Sequence, residues 1–362
     1  MPKGIVAVQW DDTKGTVIRG KYPEDLQVTA DEMMRIFTSH AMGEGKPGFM
    51  TMKLEAMNVA SYYTGLAARG EPQYYLAVIV DLSDDAGIYE EPLTEIGKEL
   101  LNEVNSRNFQ DHLVQGYNKI IAYTKLTDEQ RLAQIILDPV RKLIFKKLTQ
   151  GCITKIELQE WLEQETGTRI TDMDLLLVPF IRTNIIRKGA VEGITGDCIF
   201  LIRDMFITFA PPEKIMTRIM KGEIKGDLAK AARSQIADFF KGYRVSEDDE
   251  STVANLLANF DTYGIVSQLR ANLEGEEELA KELGKSKVEI EKTMRNLQKL
   301  EVVGELTDST ESKVYVLKSD PQISLFYPEY MIDIARTKWS TGEISKEMAV
   351  KYLQILREDF LS

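Results

Sequence analysis

Short apolar segments separated by turn residues fill the first 82 positions of the chain, a pattern typical of β-strands. A turn containing Asp12 and Gly15 joins the first two segments, because glycine readily takes the positive φ that tight turns need. The segment YYLAVIVDL is almost entirely apolar, which predicts a central strand buried on both faces. The predicted strands are residues 4–10, 16–21, 49–55, 59–64 and 74–82.

Three amphipathic helices accompany these strands. A capping box at Thr29 opens the first helix, and the glycine-rich residues 43–48 end it. From Pro92 onward, apolar residues return every three or four positions in two successive stretches, which predicts two more helices. The order β-β-α-β-β-β-α-α therefore predicts an α+β domain over residues 1–126, with one antiparallel sheet covered by helices.

Residues 127–212 have the pattern of a winged-helix domain. Thr127 opens one helix and Thr154 another through capping boxes, and Pro211-Pro212 ends the segment. Three short helices followed by a β-hairpin make up the winged-helix layout. The helical stripes are residues 140–148, 156–161 and 171–184, and the hairpin strands are residues 185–194 and 198–209 around the turn 195–197.

The same pattern returns in residues 249–318, after a charged helical connector over 213–248. Helical stripes precede a second hairpin there, and residues 319–362 are predicted to form a C-terminal helical tail. The second hairpin consists of residues 302–306, the turn Asp308-Ser309-Thr310 and residues 313–317.

A helix-turn-helix motif lies at residues 278–289 of this second domain. Gly284 permits a tight turn, and Ser286 with Glu289 forms a capping box at the start of the next helix. The motif is informative about the fold and less so about DNA binding, because winged helices also serve as protein-docking modules.

The helix after this turn has one face of basic and polar side chains. Such a face suits contacts with phosphates and base edges in the major groove of DNA. The alternative is an ordinary solvated face, because Glu289, Glu291 and Glu301 dilute its positive charge. The candidate DNA- or partner-contact residues, opposite the apolar face of Ile290, Met294 and Leu297, are Lys292, Arg295, Asn296 and Lys299.

The corresponding helix of the first domain, residues 171–182, has a different surface. It carries two acids, one arginine and an internal Pro179 among apolar residues. These residues do not suit contact with a phosphate backbone, so we expect this helix to pack on another domain or on a partner.

The composition of the chain argues against several classes of function. A formal net charge of −12 repels phosphate backbones over the whole molecule and argues against a non-specific nucleic-acid coat protein. Cys152 and Cys198 are too few for a disulfide framework or a four-ligand zinc site, and isolated thiols suit a reducing, cytoplasmic location. The chain has no signal-peptide pattern and no long apolar run, so we expect no membrane span.

Catalytic chemistry has few candidate residues. His40 and His112 are the only histidines, and each stands alone in a helical pattern. Asp81, Asp84 and Asp85 follow the central strand and suit either a metal site or an ordinary acidic loop. Residues 43–48 lack the spacing of a phosphate-binding loop. We therefore expect no enzymatic activity, no cofactor and no metal site.

Two parts of the chain resemble known families. GIVAVQWDD at residues 4–12 and SYYTG at residues 61–65 are similar to the first strand and central hairpin of longin domains. A longin domain followed by winged helices resembles, in layout, the nitrogen-permease-regulator-like proteins of GTPase-regulatory machinery. It also resembles archaeal proteins from lineages rich in small GTPases. The resemblance implies a small GTPase or a second longin-type subunit as partner, but no arginine finger can be placed on this sequence, so GTPase activation is not implied.

Two hypotheses follow from the sequence. In the first, the chain is a non-enzymatic adaptor that docks a protein partner through its longin-like domain and its winged-helix arms, alone or as a homodimer. In the second, it is a transcription regulator whose second winged helix reads DNA. The acidic charge balance favours the adaptor, whereas the face from Lys292 to Lys299 favours the regulator.

Overall fold

The structure, a computed structural model, describes residues 2–11, 13–42, 46–65, 72–170, 172–307 and 311–361. It separates into two compact units, residues 1–126 and 127–362. The prediction of an α+β chain with antiparallel sheets is confirmed. Predicted features at Asp12, at residues 43–45, at Thr171 and in the turn 308–310 lie outside the described residues.

The N-terminal unit, residues 1–126, contains strands and helices in the predicted order. The five strands form one sheet in the order β2-β1-β5-β4-β3, and a short 3-10 helix precedes the second helix. The elements are β1 (Gly4–Asp11), β2 (Gly15–Tyr22), α1 (Ala30–Met42), β3 (Gly48–Lys53), β4 (Asn58–Tyr63), β5 (Gln73–Val80), α2 (Glu90–Asn102) and α3 (Phe109–Thr124).

Both faces of this sheet are covered. The central strand β5 is buried over its last six residues, as its apolar sequence predicts. Met33 and Ile36 of α1 belong to the core on one face, while Leu93 of α2 and Leu113 of α3 belong to the core on the other. The N-terminal unit therefore has two hydrophobic layers of its own, one on each side of the sheet.

The C-terminal unit, residues 127–362, contains one succession of elements twice. In the first repeat, residues 127–245, these are α4 (Asp128–Leu137), α5 (Pro139–Leu148), β6 (Ile153–Thr154), α6 (Lys155–Thr166), α7 (Met173–Arg182), β7 (Ile186–Ala190), β8 (Asp197–Leu201), β9 (Asp204–Ala210), α8 (Glu213–Met220) and α9 (Gly226–Gly242). In the second repeat, residues 246–361, they are α10 (Glu247–Ala258), α11 (Phe260–Ala271), α12 (Glu276–Leu283), α13 (Lys287–Lys299), β10 (Val303–Thr307), β11 (Lys313–Leu317), β12 (Asp320–Phe326), α14 (Tyr330–Ser340) and α15 (Lys346–Leu361).

The repeats agree in backbone detail as well as in element order. Asn184, after α7, and Glu301, after α13, both take left-handed backbone angles, with φ of 60° and 58°. Each repeat then uses one carbonyl to accept two amides from the end of its hairpin: Ile185 O in the first and Val302 O in the second. In place of β6, the second repeat has a single bridge between Glu274 and Tyr315.

Two equivalent strands join the repeats. Strands β9 and β12 pair antiparallel, with Ile207 opposite Ile323 at the middle of both strands. Because the two strands hold the same place in their repeats, the repeats are related like the subunits of a two-fold symmetric dimer. Arg270 of the second repeat lies 2.6 Å from Glu129 of the first and 2.7 Å from Asp320, which adds an ion cluster to this junction.

The last two helices of each repeat pack on the hairpin of the other repeat. Ile215 of α8 and Ile236 of α9 share a core with Val316 of β11. In the reverse direction, Tyr352 of α15 donates a hydrogen bond of 2.8 Å to the carbonyl of Leu201 in β8. The repeats therefore exchange their helical pairs, α8–α9 for α14–α15.

Three sequence predictions for the C-terminal unit are wrong. The strand predicted over 198–209 is two strands, β8 and β9, and only β8 pairs with β7. Residues 213–248 are helical as predicted, but they are not only a connector, because α8 and α9 complete a core with the second hairpin. Residues 319–362 are not all helical, because they begin with strand β12.

Candidate functional site

The basic helix face predicted from the sequence lies on α13. The capping box that starts this helix is present, with the Ser286 amide 2.9 Å from a Glu289 carboxylate oxygen. Gly284 takes a φ of 63° in the preceding turn, where a side chain would be strained. The helix buries Ile290, Met294 and Leu297 and exposes the four candidate residues, Lys292, Arg295, Asn296 and Lys299.

Acidic neighbours reduce the positive charge of this face. The Arg295 guanidinium lies 2.5 Å from a carboxylate oxygen of Glu291, one helical turn away. The four candidate residues border a shallow depression of about 270 Å³ together with Glu291 and Val288. Val288 is 73% exposed in this depression. The surface is thus mixed, with cationic, acidic and apolar groups side by side.

The corresponding helix of the first repeat, α7, presents a different surface. Asp174 lies between two ammonium groups, 2.8 Å from Lys155 and 2.5 Å from Lys188. Burial acts to raise the pKa of Asp174, but the two ammonium groups outweigh it and hold that pKa below its usual range. Ile181 of α7 is exposed as well. A DNA backbone would meet a helix with few free cations here, because Lys155 and Lys188 both pair with Asp174.

A buried serine–histidine pair lies inside the N-terminal unit. The Ser61 hydroxyl on β4 is 2.8 Å from Nε2 of His40 on α1, and the two residues are only 1% and 9% exposed. Burial lowers the pKa of His40 to about 4. The sequence did not predict this pair, because the pairing of a helix residue with a strand residue depends on how α1 packs on the sheet.

The other candidate groups have local structural roles. Asp81 lies 2.8 Å from the Lys3 ammonium group, whose hydrogen bond lowers the pKa of that carboxyl. Asp85 accepts a hydrogen bond of 2.8 Å from the Gly87 amide at the start of the 3-10 helix. Burial raises the pKa of the Cys152 thiol to about 12, so the thiol stays protonated. Within the described ranges, no group of three or more His, Cys, Asp or Glu side chains could hold a metal ion.

The two edge strands of the N-terminal sheet differ in their surroundings. Strand β2 pairs with β1 through a register shift. A side chain of α3 also contacts β2, because Gln110 donates a hydrogen bond of 2.8 Å to the Lys21 carbonyl. Strand β3 pairs with β4 over six consecutive residues without a shift. Thr51 and Lys53 are its exposed side chains. In the part of the chain that the structure describes, β3 pairs with a strand on one side only.

Comparisons with known proteins add no family. No family model matches this chain, and no curated protein matches it. Of the helices within the described residues, none has both the length and the apolar character needed to cross a bilayer.

Proposed function

We propose that this chain is a non-enzymatic protein-interaction adaptor. Residues 1–126 act as a longin-like docking module, and the two repeats of the C-terminal unit act as winged-helix arms. The observation that carries the proposal is strand β3, a regular edge strand whose free side offers backbone amides and carbonyls to a partner strand.

The contrast between the two edges supports strand addition at β3. A register shift, as in β2, and charged side chains such as Arg19 and Lys21 are features that discourage another strand from pairing. Strand β3 has one charged side chain, Lys53, at its end. A partner strand could therefore extend the sheet at β3 without meeting a row of charges.

The proposed partner is a second longin-type subunit, which brings a sheet edge of its own. A small GTPase is the other partner implied by the family resemblance. The winged-helix assignment rests on the order of elements within each repeat. Helices precede a recognition-type helix and a hairpin, with a short strand between them in the first repeat and a single bridge in the second.

The experiment compares two single substitutions in the full-length chain. Thr51→Lys places a second charge on β3, and Ile18→Lys places the same charge on β2, where Ile18 is exposed. We expect Thr51→Lys to abolish both self-association in sedimentation and recovery of a co-purifying partner, and Ile18→Lys to leave both unchanged. Equal effects of the two substitutions, or none from Thr51→Lys, would contradict strand addition at β3.

A second candidate function is DNA binding by a winged-helix transcription regulator. It is favoured by the exposure of Lys292, Arg295 and Lys299 on one side of α13. The largely apolar helix α7, whose Asp174 pairs with Lys155, and the ion pair between Arg295 and Glu291 weigh against it. Quantitative DNA binding separates this candidate from the adaptor.

A further inference from the structure

An open groove lies between helices α14 and α15 of the second repeat. Its volume is about 620 Å³, within the size range of pockets that bind ligands or partner side chains. Tyr330, Ile332 and Phe360 are 38%, 36% and 64% exposed, although all three are large and apolar over most of their surface. The groove is lined by these residues together with Tyr327, Leu353 and Leu356.

The first repeat provides an internal comparison for this groove. The turns Gly222-Glu223-Ile224 and Gly342-Glu343-Ile344 are equivalent, because their glycines have φ of 71° and 77° and their glutamate amides bond to the carbonyls of Arg218 and Lys338. Positions in the two helical pairs can therefore be matched by counting from these glycines.

The comparison shows which apolar residues of the groove have no apolar counterpart in the first repeat. Leu353 lines the groove, whereas the matching residue of the first repeat is the exposed Arg233; each lies eleven residues after its turn glycine. Counted from the turn glycines, helix α14 begins three residues earlier than helix α8, and Tyr330 and Ile332 lie in this additional helical turn. Leu356 and Phe360 have apolar counterparts in Ile236 and Phe240, so the groove residues specific to the second repeat are Leu353, Tyr330 and Ile332.

The charged residues of the groove indicate what kind of partner would fit. Glu329 and Asp333 line the α14 side, and Arg357 lines the α15 side. A partner helix with an apolar stripe would place its stripe against the aromatic residues. Basic residues along one flank would face Glu329 and Asp333, and an acidic residue on the other flank would face Arg357.

We infer that the α14–α15 groove binds an amphipathic helix of a partner protein, with basic residues on the flank facing α14 and an acidic residue on the flank facing α15. This interaction does not depend on strand addition at β3, so it would remain if that proposal failed. It would give the chain a docking surface on its C-terminal unit.

The test uses a displayed library of amphipathic helices with randomised flanks, selected on the full-length protein. Counter-selection uses the double variant Tyr330→Ala/Leu353→Arg, in which position 353 carries the residue type found in the first repeat. We expect enrichment of helices with basic residues on one flank and an acid on the other. By fluorescence anisotropy, the best helix should bind Leu353→Arg at least tenfold more weakly than wild type.

Three comparisons make the result decisive. Arg233→Ala, at the matching position of the first repeat, and Thr51→Lys, on β3, should leave helix binding unchanged. Because Leu353 also packs against the core, circular dichroism checks that Leu353→Arg is folded, and Phe360→Ala, at a 64% exposed groove position, is a second variant that should weaken helix binding. Enrichment without a charge preference, or equal binding to wild type and Leu353→Arg, would overturn the inference. Binding of a naphthalene dye with no helix enriched would also overturn it and identify a small-ligand pocket.

Discussion

His40 and Ser61 illustrate how the same two side chains can be a catalytic pair or a structural one. A serine next to a histidine can act as a nucleophile only where a substrate can reach it. Here both residues lie within the protein, and the Ser61 hydroxyl also contacts the Met50 carbonyl at 3.4 Å. Their hydrogen bond connects α1 to the sheet, so its effect is on the stability of the N-terminal unit.

We expect the purified full-length chain to hydrolyse no ester, peptide, nucleotide or phosphate. The reason is that the serine–histidine pair is buried and that Asp81 and Asp85 are held by Lys3 and the Gly87 amide. Turnover assays on wild type and Ser61→Ala check this. Activity that co-purifies with the wild-type chain and disappears in Ser61→Ala, or on mutating Asp81, would show the prediction to be wrong.

The buried His40 also predicts a pH dependence of stability. Its folded pKa of about 4 lies below the ordinary value of 6.5, so the unfolded chain takes up the proton first as the pH falls. The neutral ring therefore contributes fully to the free energy of unfolding above pH 6.5, and this contribution is lost as the pH falls towards 4. Between about pH 7 and pH 5 we expect the N-terminal unit to lose about 2 kcal/mol through this group.

Hydrogen exchange at the amides of α1 and β4 in the full-length chain measures this loss. His40→Gln is the matched control, because glutamine can hydrogen-bond Ser61 but does not titrate. The variant should show a smaller loss of protection at low pH than wild type. Equal losses in the two proteins would mean that other groups cause the acid sensitivity.

At the scale of single elements, DNA binding through α13 distinguishes the adaptor from the transcription regulator. Three cations on one exposed helix face must overcome a chain charge of −12, and Glu291 already pairs with one of them. We expect full-length protein to bind duplex DNA no more tightly than about 10⁻⁶ M at physiological salt, the non-specific range. Fluorescence anisotropy against a pool of genomic fragments at about 150 mM salt measures this, the ionic strength being specified because phosphate contacts are salt-dependent.

Selective nanomolar binding would support the regulator. In that case Lys292→Glu together with Arg295→Glu should abolish binding, and each lost phosphate contact should lower the salt slope by about one unit. Lys230→Glu together with Lys241→Glu, at two exposed positions on α9, is a matched charge control because it changes the net charge by the same amount without altering α13.

Elements defined by local signals could be predicted from the sequence. The capping boxes at Thr29, Thr127, Thr154 and Ser286 each start a helix in the structure. Strands β9 and β12 could not be predicted in the same way. Each continues directly from a hairpin, and its partner lies in the other repeat, so the choice of partner depends on contacts far apart in the chain. The groove was missed for the same reason, since it requires α14 to pack beside α15.

At the scale of the whole molecule, the N-terminal unit should fold by itself. Residues 1–126 have two hydrophobic layers and end where the Thr127 capping box starts the next unit. We expect the isolated fragment to unfold cooperatively by circular dichroism and to self-associate or capture a partner. A folded fragment that stays monomeric and captures nothing would count against the adaptor.

The exchange of helical pairs predicts that the C-terminal unit can be rebuilt from two chains. We expect residues 127–244 and 245–362, co-expressed as separate polypeptides, to elute as one complex of equal stoichiometry. The cut falls beside the exposed Val245 and leaves Tyr243, which packs against the core, in the first fragment. Tyr352→Ala should weaken the complex at least a hundredfold, because a large buried aromatic side chain contributes about 3 kcal/mol or more. Two halves that fold independently and do not associate would contradict the exchanged arrangement.

The exchange also determines when, during synthesis, each part of the protein can finish folding. Leu201 receives its hydrogen bond from Tyr352, 151 residues later in the chain. At about 5–20 residues per second, a ribosome needs about 8–30 seconds to add that stretch. The N-terminal unit can fold as soon as it leaves the exit tunnel. The first hairpin of the C-terminal unit lacks its contact with α15 until that helix has been made, so we expect its apolar side to be uncovered during this interval.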